Sequence, residues 1–301
     1  MYEQISANKR RTVLLIVGAF VFLGLIGFAI GQVWGGGPTG TIIALIVAGV
    51  LSIGSYLYGD KLVLASTRAR ELPPADAPRL HNIVEGLAIA AGIPKPRVYL
   101  VPEMAPNAFA TGRDPEHASI AVTQGLLETM NRVELEGVIG HELAHVVDRD
   151  MLVGTVVATV VGAGILLAEF FMRSWWWGGF GGRRGDDRGG GGAALPLFIV
   201  GFVLLALAPI LGRLIKLAVS RNREYLADAQ GVLLTRYPPG LIAALRKLAA
   251  SPTAMHSANN ATAHLWLNQP SRFEGERIGR LEGLLSTHPP ITERIQRLEE
   301  M

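Results

Sequence analysis

The stretch VIGHELAHVVDRDM (138–151) sets His141 and His145 four residues apart with Glu142 between them. Positions four apart share one face of a helix, so both imidazoles can address a single cation while Glu142 stands beside it. A zinc ion held there lowers the pKa of a bound water. The carboxylate can take that water's proton and pass it to a leaving amine. That chemistry is peptide-bond hydrolysis.

A catalytic zinc needs a third protein ligand and an open fourth position. The extended form HExxHxxGxxH is closed here, because Asp148 and Met151 stand at its Gly and third His positions. Downstream, SRNREYLADAQ (220–230) offers Glu224 and Asp228 one helical turn apart. Glu224 is placed to complete a His-His-Glu site, and Asp228 to receive the second ring N–H of a ligating imidazole. Taken alone, the segment also reads as a charged, solvated helix; on the same side of a membrane as HExxH, the ligand reading is favoured. Arg221, one turn before Glu224, either pairs with Asp228 or Glu224 or serves as a juxtamembrane anchor. Nothing favours a site role for His81, His117, His256 or His264.

Several elements must position these residues. Asn131 reads as an N-cap with Glu134 completing a capping box, so a helix runs from about Arg132 through the motif and on past Asp150 into the apolar stretch that follows. Pro78 to Ala91 has helical spacing. The segments RVYLV (97–101), NAFAT (107–111) and SIAVT (119–123) read as a small antiparallel meander.

Half of the 301 residues are apolar and only 18% are charged, too hydrophobic for an ordinary soluble domain of this size. The excess lies in four runs, 12–31, 41–58, 151–168 and 193–212, each near the roughly 20 residues a spanning helix needs. The first lacks the short apolar core and cleavage site of a signal peptide and reads as a retained span. Lys9, Arg10 and Arg11 precede the first pair and Lys61, Arg68 and Arg70 follow it, which places both flanks in the cytoplasm. The expected organisation is a transmembrane hairpin (1–58), a first cytoplasmic catalytic part (59–150), a second hairpin (151–213) with a Trp- and Gly-rich loop (173–192), and a helical second catalytic part (214–301). The absence of cysteine excludes disulfides and thiolate metal sites. Basic residues clustered at the ends of apolar runs suit membrane topology rather than nucleic-acid binding. No Gly-Lys dipeptide exists, so there is no Walker A loop and no nucleotide partner is expected.

GHELAH, SRNREYLADA and STHPPITERIQRL (286–298), set among four hydrophobic runs in this order, resemble the HtpX proteases, membrane-bound zinc endopeptidases of the gluzincin type related to the CAAX prenyl proteases. The resemblance covers essentially the whole chain. It implies a mainly α (α+β), zincin-like integral membrane fold with about four transmembrane helices, a helical catalytic domain and the small meander. It implies one Zn2+ per subunit on His141, His145 and Glu224, with Glu142 as catalytic base. It further implies a bacterial inner membrane location with the site facing the cytoplasm, and misfolded or damaged membrane proteins and unfolded polypeptides as substrates. Asn107, Ala108, Phe109 and Ala110 match a family segment resembling the substrate-binding edge strand of zincins, or are an ordinary strand with Phe109 in the core. His288, in the family's His-Pro motif, either stabilises an oxyanion or starts the last helix. The Trp- and Gly-rich loop has no counterpart in the family pattern.

Other functions fit less well. An intramembrane protease buries HExxH among apolar residues, but Glu134, Glu136, Asp148, Arg149 and Asp150 flank the motif. A zinc transporter wants ligands within its spans, and the four runs contain no His or Asp. A non-catalytic scaffold has no use for Glu142.

Overall fold

The computed structural model describes residues 37–158, 221–251, 253, 255, 262–268 and 289–301, with scattered helical positions between 6 and 21. The described chain is mainly helical around one small sheet. In order it comprises α1 (Gly37–Ser66), β1 (Arg70–Glu71), α2 (Pro78–Ala91), β2 (Arg97–Val101), β3 (Ala108–Thr111), β4 (Ser119–Thr123), α3 (Gln124–Thr129), α4 (Arg132–Asp148), a helix over residues 150–158 (α5), α6 (Arg221–Thr235), α7 (Pro238–Ala250) and α8 (Ile291–Glu299). A short 3-10 turn, Pro115–His117, precedes β4, and another, Ala263–Leu265, precedes a bend over residues 266–268.

The sheet is not an antiparallel meander. Its order is β1-β2-β4-β3, with β2 parallel to β4, β3 antiparallel to β4 at one edge, and the two-residue β1 antiparallel to β2 at the other. The loop after β2 sets this order. Gly125 at the start of α3 accepts the close approach of that loop, since a Cβ there would lie 1.8 Å from the Met104 carbonyl oxygen, and the Gly125 N–H donates to the Glu103 carbonyl. The chain is thereby carried across the end of β4 before β3 forms. β3 becomes an edge strand beside the HExxH helix.

Side chains alternate across the strands. Val98, Leu100, Ala108, Ile120 and Val122 join Leu80, Ile83, Val84, Leu135, Val138 and Ile139 in the main core, between the sheet and helices α2 and α4. Val101, Phe109 and Ala121 face the other way, onto Val63, Leu64, Ala158 and Trp266. Phe109 is thus a core residue within its strand.

Helix α4 starts as its sequence requires. The Asn131 side chain accepts from the Glu134 N–H and Glu134 accepts from the Asn131 N–H, a complete capping box. It does not run through Asp150. Arg149 takes a left-handed conformation (φ 56°), its N–H bonds to the Val146 carbonyl, and a new helix begins at residue 150. Residues 151–158, the first part of the expected third span, are buried against the catalytic body.

Among the described residues no helix is long and apolar enough to cross a membrane. α1 takes in the expected span 41–58. The runs 12–31 (apart from scattered positions), 159–168 and 193–212, the loop 173–192 and His288 lie outside the described residues.

Candidate active site

His141 and His145 project from the buried face of α4 with their rings 4.7 Å apart and nearly perpendicular, and their Nε2 atoms 3.1 Å from each other. Helix α6 brings Glu224 to the same point. The two helices approach so closely because glycines meet where they cross: a Cβ on Gly231 would lie 2.8 Å from the His141 backbone nitrogen, and one on Gly140 would lie 3.0 Å from the Gly231 carbonyl. Two turns upstream of Gly231, on the same face of α6, the Glu224 carboxylate lies 3.8 Å from His141 Nε2 and 3.9 Å from His145 Nε2. One ligand atom from each of the three residues falls within 4.8 Å of the others.

The far side of each ring decides what the near side presents. Asp228, one turn after Glu224, accepts from His141 Nδ1 at 2.9 Å. Both carboxylate oxygens of Asp150 lie 3.0 Å from His145 Nδ1. With both Nδ1 atoms donating, both Nε2 atoms carry lone pairs that converge with the Glu224 carboxylate. Electron-rich atoms meeting at 3.1 Å repel unless a positive charge, a metal ion or the extra proton of His145, lies between them. Ligands about 2.0–2.1 Å from a tetrahedral zinc are separated by roughly 3.4 Å, close to the spacings here.

Charge points the same way. The buried carboxylates Glu142, Glu224, Asp228 and Asp150 surround the imidazoles, against, among the described residues, one buried guanidinium, that of Arg294. Burial pulls the His145 pKa down, but Asp150, Glu224 and Glu142 together lift it to about 10, a measure of how strongly this point favours positive charge. Burial pushes Glu142 up to about 7, with Glu224 raising it further and His145 and Arg294 opposing. Backbone polarity at Ala110, on the edge strand, also opposes the rise.

These groups share a cleft whose walls include Ala110, Met151, Arg223, His264, Leu265 and Trp266. Residues 74–301 match Peptidase family M48. The chain belongs to that family. It is 45% identical to a Protease HtpX homolog from Thermoanaerobacter pseudethanolicus over 301 residues, covering 100% of this chain and 98% of that one. It is 44% identical to a Protease HtpX homolog from Streptococcus thermophilus over 304 residues, covering all of both. The crystal structure of S. mikatae Ste24p shares the fold, with a TM-score of 0.50 at 18% identity over 99% of this chain and 67% of that one. The chain is therefore an M48 metalloprotease of the HtpX type, and its His141, His145 and Glu224 make a metal site that fits zinc.

Other residues of this M48 site lie where the sequence did not point. Arg221 is exposed at the start of α6; the guanidinium on Asp228 is that of Arg294, from α8, with Nε and Nη2 at 2.8 and 2.6 Å from its two oxygens. Arg294 Nη1 also lies 3.8 Å from Glu224. His264, for which no site role was expected, stands in the cleft wall with Nε2 3.0 Å from the Gly154 carbonyl. His81 and His117 lie elsewhere, on the Leu72 carbonyl and on Asp114. Asp150 reaches His145 because the helix breaks at Arg149 and turns the chain back. Replacing Asp150 with Ala is expected to lower zinc affinity about 10- to 100-fold, measured by competition with a chromophoric chelator.

The Asn107–Ala110 segment is an edge strand in part already paired. The Asn107 carbonyl accepts from the Thr123 N–H, so alternate residues Ala108 and Ala110 turn their backbone groups away from β4. At Ala108 the carbonyl accepts the Leu267 N–H at 2.9 Å. Ala110 is the edge residue that lines the cleft.

Proposed function

We propose that this chain is a membrane-bound, zinc-dependent endopeptidase that hydrolyses cytoplasmic segments of misfolded or damaged membrane proteins without nucleotide. The observation that carries this reading is the convergence of two Nε2 lone pairs and the Glu224 carboxylate beside Glu142 in a cleft bordered by an edge strand. The zinc supplies Lewis-acid polarisation of the scissile carbonyl and of water. Glu142 holds and moves the proton; its pKa near 7 suits a group that must accept a proton and then release it at neutral pH. Asp228 and Asp150 fix the imidazole tautomers and orientations. His288 in this reading donates to the developing oxyanion.

The membrane part of the reading rests on the apolar runs and on kinship with HtpX proteases. It is supported by α1, where Ile42, Ile46, Val50, Ile53 and Leu57 form an exposed apolar stripe at helical spacing. Segments 1–58 and 151–213 anchor the chain, and 59–150 with 214–301 make the cytoplasmic catalytic body. The charged run Asp148 to Asp150 beside the site favours a position at the membrane surface over one within it.

The detergent-purified chain is expected to cleave unfolded casein without ATP, to lose that activity in 1,10-phenanthroline and to regain it with zinc. Cleavage that persists in the chelator contradicts the proposal.

A further inference from the structure

Residues 266–268 are held by contacts to their backbone. The Leu267 N–H donates to the Ala108 carbonyl at 2.9 Å, and the Leu267 carbonyl accepts from Arg294 Nη1 at 3.2 Å. The Asn268 N–H donates to Asn107 Oδ1 at 3.1 Å, and the Asn268 carbonyl accepts from Asn107 Nδ2 at 2.7 Å. Trp266 is extended (φ −75°, ψ 141°), and Trp266 and Leu267 line the same cleft as Glu142. A wall built for its own sake has no need of this pattern. An edge carbonyl, a carboxamide and a guanidinium, all buried and all reading main-chain N–H and C=O groups, hold a peptide segment by its backbone and leave selection to its side chains.

Resting on the peptidase reading, we infer that residues 266–268 are an internal pseudo-substrate seated on the peptide-binding edge of the cleft, and that Asn107, the Ala108 carbonyl and Arg294 are the groups that take the substrate backbone once this segment is displaced. Side chains then set the selection. The Trp266 ring packs edge-on against Phe109 with centroids 4.7 Å apart, and Leu267 is buried in the main core. An incoming segment must refill those two places. The cleft therefore selects extended segments that carry a large aromatic or aliphatic pair, sequences exposed only when a protein has lost its fold.

Trp266→Ala removes the anchor while leaving Asn107, Ala108 and Arg294 in place. If the segment is seated about nine-tenths of the time, its release lowers KM for unfolded casein about tenfold at unchanged kcat. An unchanged or raised KM, in a variant with wild-type zinc content and circular dichroism, overturns the inference. A second measurement needs no substitution. Saturating the wild-type protein with a hydroxamate-capped leucine peptide is expected to speed amide hydrogen exchange across 262–268; unchanged or slower exchange there overturns displacement even when casein is cleaved normally. A wild-type protein that neither binds the hydroxamate nor cleaves casein contradicts the peptidase reading as well.

Discussion

Glu142→Gln is expected to abolish peptide hydrolysis while leaving zinc bound. The two roles are separable in this geometry, since the groups placed to hold a metal are those of His141, His145 and Glu224, and Glu142 is not among them. Glutamine matches glutamate in shape, so the packing of the cleft is undisturbed. What it lacks is basicity. General-base assistance is worth about 10²- to 10⁴-fold, and initial rates on casein should fall by that factor. Zinc per chain, measured on the same preparation, should match wild type. A variant cleaving within a few-fold of wild type contradicts the assignment of Glu142.

Asp228→Ala has the second large effect, and it acts through two links at once. His141 loses the carboxylate that orients it, which should weaken zinc binding about 10- to 100-fold. Arg294, about 1% exposed, loses its bidentate partner, and an uncompensated buried charge costs about 3–5 kcal/mol. The double replacement Asp228→Leu with Arg294→Met removes both charges and should recover most of the thermal stability without restoring the zinc affinity. Recovery of both contradicts the orienting role of Asp228. The same pair gives the stability an acid limb. Burial alone raises the Asp228 pKa, but the guanidinium overrides it and holds the carboxyl near 2, below its ordinary 3.8. Because the folded value is the lower one, the contribution is fully present above about pH 4 and is lost as the pH falls towards 2.

How much of this was legible depended on distance along the chain. His141, Glu142, His145 and the Asn131–Glu134 capping box are read from spacings of one turn, and the structure has them where the spacing puts them. Glu224 and Asp228 were legible as a pair because they too sit one turn apart, although their approach to α4 depends on Gly231 and Gly140. The sheet order was not legible, since the crossing of β4 rests on the tertiary contact of Met104 with Gly125. Nor was Asp150, because the break before it uses a left-handed arginine and no Gly or Pro marks the turn. Arg294 lay inside the quoted STHPPITERIQRL motif, yet its contact with Asp228 spans 66 residues and no local pattern encodes it. Arg221, one turn before Glu224, is exposed, and the guanidinium on Asp228 comes instead from far along the chain.

The central claim is that His141, His145 and Glu224 hold one zinc together. Metal analysis of purified Glu224→Ala beside wild type tests it most directly. The account predicts about one zinc per wild-type chain and little or none in Glu224→Ala after dialysis against a weak chelator, because two imidazoles alone leave the donor set short of the three protein ligands of catalytic zinc sites. Equal zinc in the two proteins contradicts it.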